Sequence, residues 1–169
     1  MDILPGMSGY DFKHLRVLIC DDSRQIRSLL KTFLSGFGVK EIEEAADTDT
    51  AFDEVKTFEP DLIITDWNMP PTSGLDFVKK LRLSDDSPNP YVPIIMLTGF
   101  TELYRVKQAR DAGISSFLAK PLSAQSLYKR LVSVVDDQRP FVRDGKYFGP
   151  DRRTGRRGGF MGEDRRKMA

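Results

Sequence analysis

Asp21, Asp22, Asp66, Thr98 and Lys120 each stand just past a short apolar run: Arg16–Cys20, Asp61–Thr65, Val92–Leu97 and Ser116–Ala119. If those runs are parallel strands, the five side chains gather at one edge of a sheet. Three carboxylates brought together repel one another unless a cation sits among them. Carboxylate, carbonyl and water oxygens suit a hard divalent ion, Mg²⁺ above all. An aspartate is also a competent phosphoryl acceptor through an acyl phosphate. A lysine ammonium and a threonine hydroxyl can hold phosphoryl oxygens as charge builds on them. The combination therefore points to metal-dependent phosphoryl transfer onto a carboxylate. Each feature alone has a plainer explanation, since Asp-Asp at a helix start is often a cap and a Lys-Pro pair is common.

The segments between the runs are amphipathic at helical spacing. Ile26, Leu29, Leu30, Phe33, Leu34 and Phe37 follow the first run, with Ser23 as a cap and Gly36 and Gly38 at the end. A short strand over residues 40–46 leads to a helix capped by Asp47 or Thr48, carrying Phe52, Val55 and Phe58 and stopped before Pro60. A third helix runs from about Gly74 to Leu83, followed by a polar, proline-broken loop from Ser84 to Pro90. Thr101 caps a helix with Leu103, Val106 and Ala109, and Ser123 caps the last, with Leu127, Leu131, Val134 and Val135. Five strand–helix units in alternation predict an α/β fold, a five-stranded parallel sheet, doubly wound. Ligands of such sheets bind beyond the carboxyl ends of the strands at a topological switch point, which is where the polar cluster falls.

With these elements in order, the chain resembles a CheY-like response-regulator receiver domain over residues 15 to 136. The markers are Asp21-Asp22, Asp66-Trp-Asn-Met-Pro70 with Gly74, Thr98-Gly99 and Lys120-Pro121. The resemblance implies the flavodoxin-like (βα)5 fold, with Asp66 as phosphoacceptor for a histidine kinase. It implies Mg²⁺ held by Asp21, Asp22, Asp66 and the backbone carbonyl of Asn68, and Lys120 paired with Asp66 or its phosphoryl group. The Lys120–Pro121 bond is expected to be cis. Thr98 and Phe117 match the switch pair, in which the hydroxyl moves toward the phosphoryl group and the ring swings inward. Phe117 lacks a phenol oxygen, Gly99 stands where alanine is common, and Pro71 follows Pro70. On this reading the protein is a regulatory phosphoacceptor, not an enzyme with a separate substrate.

Past Asp136 the composition changes. Residues 137–169 hold ten basic and five acidic residues, net +5, against −4 for the remainder. Glycines and prolines punctuate the segment and apolar residues are few, so it reads as a flexible C-terminal tail without a core of its own. Residues 1–14 read as an N-terminal extension. Arginine predominates over lysine in the tail, and its planar fork suits phosphates, guanine edges and flat rings. Arg152, Arg153, Arg156, Arg157, Arg165 and Arg166 are the candidate anion ligands, with Tyr147 as a stacking face. The arrangement resembles the Cle group of CheY-like proteins. That resemblance implies cyclic di-GMP as ligand and a flagellar switch or another protein as target.

Three functions compete. The first is a receiver with cyclic di-GMP as second input, acting by protein–protein contact in motility control. The second is a phosphotransfer intermediate or phosphate sink with an incidental tail. The third, and a less favoured one, is a receiver-regulated nucleic-acid binder, whose affinity would be mostly phosphate contact and fall steeply with salt. No apolar run approaches the ~20 residues of a membrane span. A lone cysteine, Cys20, cannot form an internal disulfide, which suits the cytoplasm; its place in an apolar run predicts a buried core residue. His14 lies outside any ligand pattern.

Overall fold

The structure is a computed structural model that describes residues 9–99 and 103–153. Its elements are β1 (Arg16–Cys20), α1 (Arg24–Gly36), β2 (Glu41–Ala45), α2 (Thr48–Phe58), β3 (Leu62–Asp66), the two-residue strands β4 (Asn68–Met69) and β5 (Thr72–Ser73), and α3 (Gly74–Leu83). They continue with β6 (Ile94–Thr98), α4 (Leu103–Ala112), β7 (Ser116–Ala119), α5 (Ala124–Val135), β8 (Phe141–Asp144) and β9 (Tyr147–Pro150).

Five strands form one parallel sheet in the order β2-β1-β3-β6-β7. The chain turns one way from β1 to β2 and the other way from β3 onward. A crevice therefore opens between the carboxyl ends of β1 and β3. Both faces of the sheet are covered, so the central strands carry uninterrupted apolar runs rather than alternation. Val17, Ile19, Ile64 and Leu97 pack with Leu30 and Leu34 of α1 and Leu127 and Leu131 of α5. Leu18, Ile63 and Met96 pack on the other face with Phe52, Phe77, Leu81 and Ala109 of α2, α3 and α4. Side-chain caps fix the helix starts, with Ser23 accepting from the Ile26 amide at 3.4 Å, Asp47 from Thr50 at 2.7 Å and Ser123 from Ser126 at 3.1 Å. Ser73 caps α3 in the same way at 3.1 Å. The expected cap Thr101 lies outside the described residues. Leu29, placed on the buried face by its spacing, is exposed.

The structure departs from the sequence reading at both ends of the body. Phe12, assigned to an extension, is buried and meets Tyr128 of α5 edge-on at 5.9 Å, while Tyr10 donates to Asp136. The start of the assigned tail is folded: β8 and β9 pair antiparallel as a hairpin closed by Gly145-Lys146. Gly145 has φ 59, and a glycine at the first position of a two-residue loop is a hairpin signal as well as a chain breaker. The residues are too few for a core of their own, so the hairpin uses that of the body. Phe141, Phe148 and Tyr91 form an aromatic triangle with centroids 5.4–5.6 Å apart.

Beneath that triangle lies Arg82, an arginine only 2% exposed. Its Nε donates to the Gly113 carbonyl at 3.0 Å and one terminal nitrogen to the Pro90 carbonyl at 2.8 Å. The other terminal nitrogen has no hydrogen-bond partner among the described residues. Its guanidinium lies 5.0 Å from the Phe141 ring centroid. Burial pulls its pKa down to about 10. Arg82 thus ties α3, the loop before β6, the turn before β7 and the hairpin together.

Two glycines let the hairpin sit this close. A Cβ at Gly113, where φ is +97, falls 2.3 Å from the Phe148 carbonyl oxygen, and one at Gly149 falls 2.7 Å from the Gly113 Cα. Gly113→Ala is expected to cost about 1–3 kcal/mol, the usual range for forcing atoms into a packed site. Hydrogen exchange should show faster exchange in residues 141–150 than in wild type, with the β1 and β3 amides still protected. Unchanged protection of the hairpin would contradict this account.

Candidate functional site

The cluster expected from the sequence is assembled at the crevice. The carboxylates of Asp21 and Asp22, just past β1, and of Asp66, closing β3, each place an oxygen within 4.8 Å of the others. The parallel register of β1 with β3 is what brings the two strand ends level. Asp21 is 1% exposed and Asp66 7%. Asp21 uses one carboxylate oxygen to accept from the Ser23 amide at 2.8 Å. Its other oxygen is buried without a partner among the described residues. Burial, with the neighbouring Asp66 and Asp22 charges, pushes the Asp21 carboxyl up to about 6, against the pull of the Ser23 amide and Lys120.

Lys120 follows β7 and places its Nζ 3.0 Å from Asp66 Oδ1. Its backbone amide donates to the Thr98 carbonyl at 2.8 Å, which fixes the end of β7 against that of β6. The Lys120–Pro121 peptide is cis, as expected, and the Pro70–Pro71 peptide is cis too, which the sequence reading did not foresee. Gly74 is required by packing: a Cβ there falls 1.9 Å from the Asp66 carbonyl oxygen. Asn68, an assigned carbonyl ligand, lies two residues past Asp66 and pairs with Ser73. Thr98 and Phe117 lie on one face of the sheet, because Met96 pairs with Phe117 and Thr98 with Ala119. Phe117 is half-buried and packs against the core cluster of the α2–α4 side.

The donor set fits a hard divalent cation. Among the described residues, a buried carboxylate oxygen has no donor, two further carboxylates lie beside it, and Lys120 is the ammonium paired with the cluster. The chain matches the response regulator receiver domain over residues 17–141. The chain belongs to the response regulator receiver family. Chemotaxis protein CheY1 of Helicobacter pylori is 35% identical over 122 residues, covering 72% of this chain and 97% of that protein. Chemotaxis protein CheY-3 of Vibrio cholerae is 30% identical over 124 residues, covering 73% and 94%. Among solved structures, chemotaxis protein CheY4 of Vibrio cholerae superposes with a TM-score of 0.65 at 35% identity, over 71% of this chain and 98% of that one. The receiver match ends at Phe141, the first residue of β8, so nearly all of the hairpin and the arginine segment lie beyond it.

The remaining candidates separate. Arg152 and Arg153 are exposed at the end of the hairpin. Arg156, Arg157, Arg165 and Arg166 lie outside the described residues. Tyr147, assigned as an open stacking face, is buried; its hydroxyl donates to the Pro150 carbonyl at 2.7 Å and its ring lies 4.3 Å below the Arg152 guanidinium. Tyr147 therefore supports Arg152. Cys20 is fully buried as expected, and burial pushes its thiol far up, away from the reactive thiolate. No helix among the described residues is long and apolar enough to cross a membrane. The sequence reading missed the arginines of the body that face the hairpin, Arg110 and Arg130. Exposed helical arginines carry no signal until the fold shows what lies across from them.

Removing one charge tests the cluster. Without divalent ions, Asp21→Asn should raise stability by roughly 1–3 kcal/mol, because the buried carboxylate is held against its neighbours. Saturating Mg²⁺ should raise the thermal midpoint of the wild type by mass action and leave that of the variant nearly unmoved. Equal Mg²⁺ responses would contradict the assignment.

Proposed function

We propose that this receiver is a response regulator phosphorylated on Asp66 by a histidine kinase. The observation that carries the reading is the Lys120–Asp66 pair, 3.0 Å long, set among three clustered carboxylates. A carboxylate oxygen of Asp66 attacks the phosphorus of a phosphohistidine; a P–O bond forms, the P–N bond breaks, and the imidazole leaves as the neutral ring after taking a proton. Lys120 turns from the carboxylate to the phosphoryl oxygens it then carries. The Thr98 hydroxyl donates to the same group, and Phe117 follows into the space that Thr98 leaves. Mg²⁺, held by Asp21, Asp22, Asp66 and the Asn68 carbonyl, supplies the positive charge that three carboxylates and a phosphoryl group together require.

The altered surface around Phe117 then acts by protein–protein contact, with a flagellar switch protein as target. The relatives named as chemotaxis proteins support a motility role. The arginine segment adds a second input, cyclic di-GMP. Exposed Arg152 and Arg153, with Arg156 and Arg157 following in sequence, support that part.

Trp67 adjoins Asp66, packs against the core and has Arg105 over its ring at 5.4 Å. Beryllofluoride with Mg²⁺ is expected to change its fluorescence in the wild type and not in Asp66→Asn; a silent wild type would point to a degenerate pocket. Titration calorimetry of the full chain should show saturable binding of cyclic di-GMP that is lost when Arg152, Arg153, Arg156 and Arg157 are all replaced by alanine. Binding to a short duplex alone would favour the nucleic-acid reading.

A further inference from the structure

Folding of the hairpin against α3 and α4 creates two adjoining clefts that the sequence does not announce. One, of about 360 Å³, is bounded by Arg110 of α4, Arg130 of α5, Arg139 and Arg152, with Ser115 and Phe117 of the β7 segment. The other, of about 350 Å³, shares Arg110 and Arg152 as its ridge and is completed by Asp144, Tyr147, Asp151 and Arg153. Both fall in the size range of small-ligand sites.

The charges in the first cleft are unbalanced. Arg139 is paired with Asp137 and also donates to the Ser115 carbonyl at 3.1 Å, and Arg152 is paired with Asp111. The guanidinium groups of Arg110 and Arg130 have no ion pair or hydrogen bond among the described residues. Four guanidinium groups thus face one concavity with two carboxylates behind them. Such a surface favours an anion, and arginine's fork favours one with paired oxygens. The second cleft differs in kind. Its carboxylates accept hydrogen bonds, and Arg153 and Arg152 donate them. That mixture matches the edge of a guanine, which presents N–H donors beside a carbonyl oxygen.

We propose that the two clefts form one seat for a guanine dinucleotide, with a phosphodiester held by the receiver's own Arg110 and Arg130 and a guanine edge met by Asp144, Asp151 and Arg153. The proposal rests on the cyclic di-GMP reading above and places half of the site on the body rather than on the arginine segment. Arg110 and Arg152, standing between the clefts, reach both parts of the ligand. Phe117, the ring that follows Thr98, lines the phosphate half.

The test is titration calorimetry of cyclic di-GMP into the full-length wild type, an Arg110→Ala/Arg130→Ala variant and an Arg156→Ala/Arg157→Ala variant, with thermal melts to show that each folds. The body variant is expected to bind at least about tenfold more weakly than wild type, the effect of losing one charge-assisted hydrogen bond. A wild type that binds and a folded body variant that binds equally well would overturn the seat and leave the cyclic di-GMP reading standing. A wild type that gives no heat would overturn both. Arg130→Glu provides a stronger perturbation at an exposed position and should abolish binding. A short single-stranded RNA that competes at equal nucleotide concentration would replace the dinucleotide seat with a polyanion groove.

Discussion

Three carboxylates held within 4.8 Å of one another by the backbone are the constraint around which the rest of this molecule is arranged. They do not choose that proximity, since each would be better solvated apart. It is imposed by the register of β1 and β3, whose own burial on both faces leaves them no freedom to slip. The apolar core is thus the source of the force that compresses the charges. The Lys120 ammonium offsets part of the repulsion, and a buried oxygen of Asp21 has no donor among the described residues. A donor set in that condition suits a hard divalent cation.

A change at the pocket meets the neighbouring strands first. Thr98 and Phe117 share a face of the sheet, so a displacement at the carboxyl end of β6 has a direct neighbour to act on in β7. β7 is one of the two edge strands of the sheet. The hairpin does not extend that edge by pairing with it. It packs instead over Arg82, Gly113 and Tyr91, beyond the start of β7. The strand carrying Phe117 is consequently flanked by arginines from α4, α5 and the hairpin's two ends. A receiver body that would otherwise be mildly acidic presents there a surface of the opposite sign.

Much of the fold was legible because local and global demands agree. Ser23, Asp47 and Ser123 cap helices as their types suggest, and α3 starts at Gly74 and ends at Leu83 as the periodicity predicts. The pocket was legible for a related reason: residues at the ends of apolar runs must emerge at the edge of a parallel sheet whatever their side-chain details. The hairpin was not. Gly145 reads as a breaker, and Phe141, Tyr147 and Phe148 are too few to suggest a packed element. Tyr91 and the guanidinium of Arg82, on another part of the chain, give those rings something to bury against. Tyr147 illustrates the same limit, since its type suggests a ligand face while its neighbours make it a support for Arg152.

The sequence by itself determined the order of strands and helices and the chemistry collected at the strand ends, because both follow from periodicity and from which residue stands where a run stops. Tertiary structure alone decided which of the arginines face one another, why Gly74, Gly113 and Gly149 must lack a side chain, and that part of the basic segment is a folded hairpin. Those outcomes depend on close approach between residues distant in the chain. Close approach is a property of the packed core, with no trace in the local pattern of either partner.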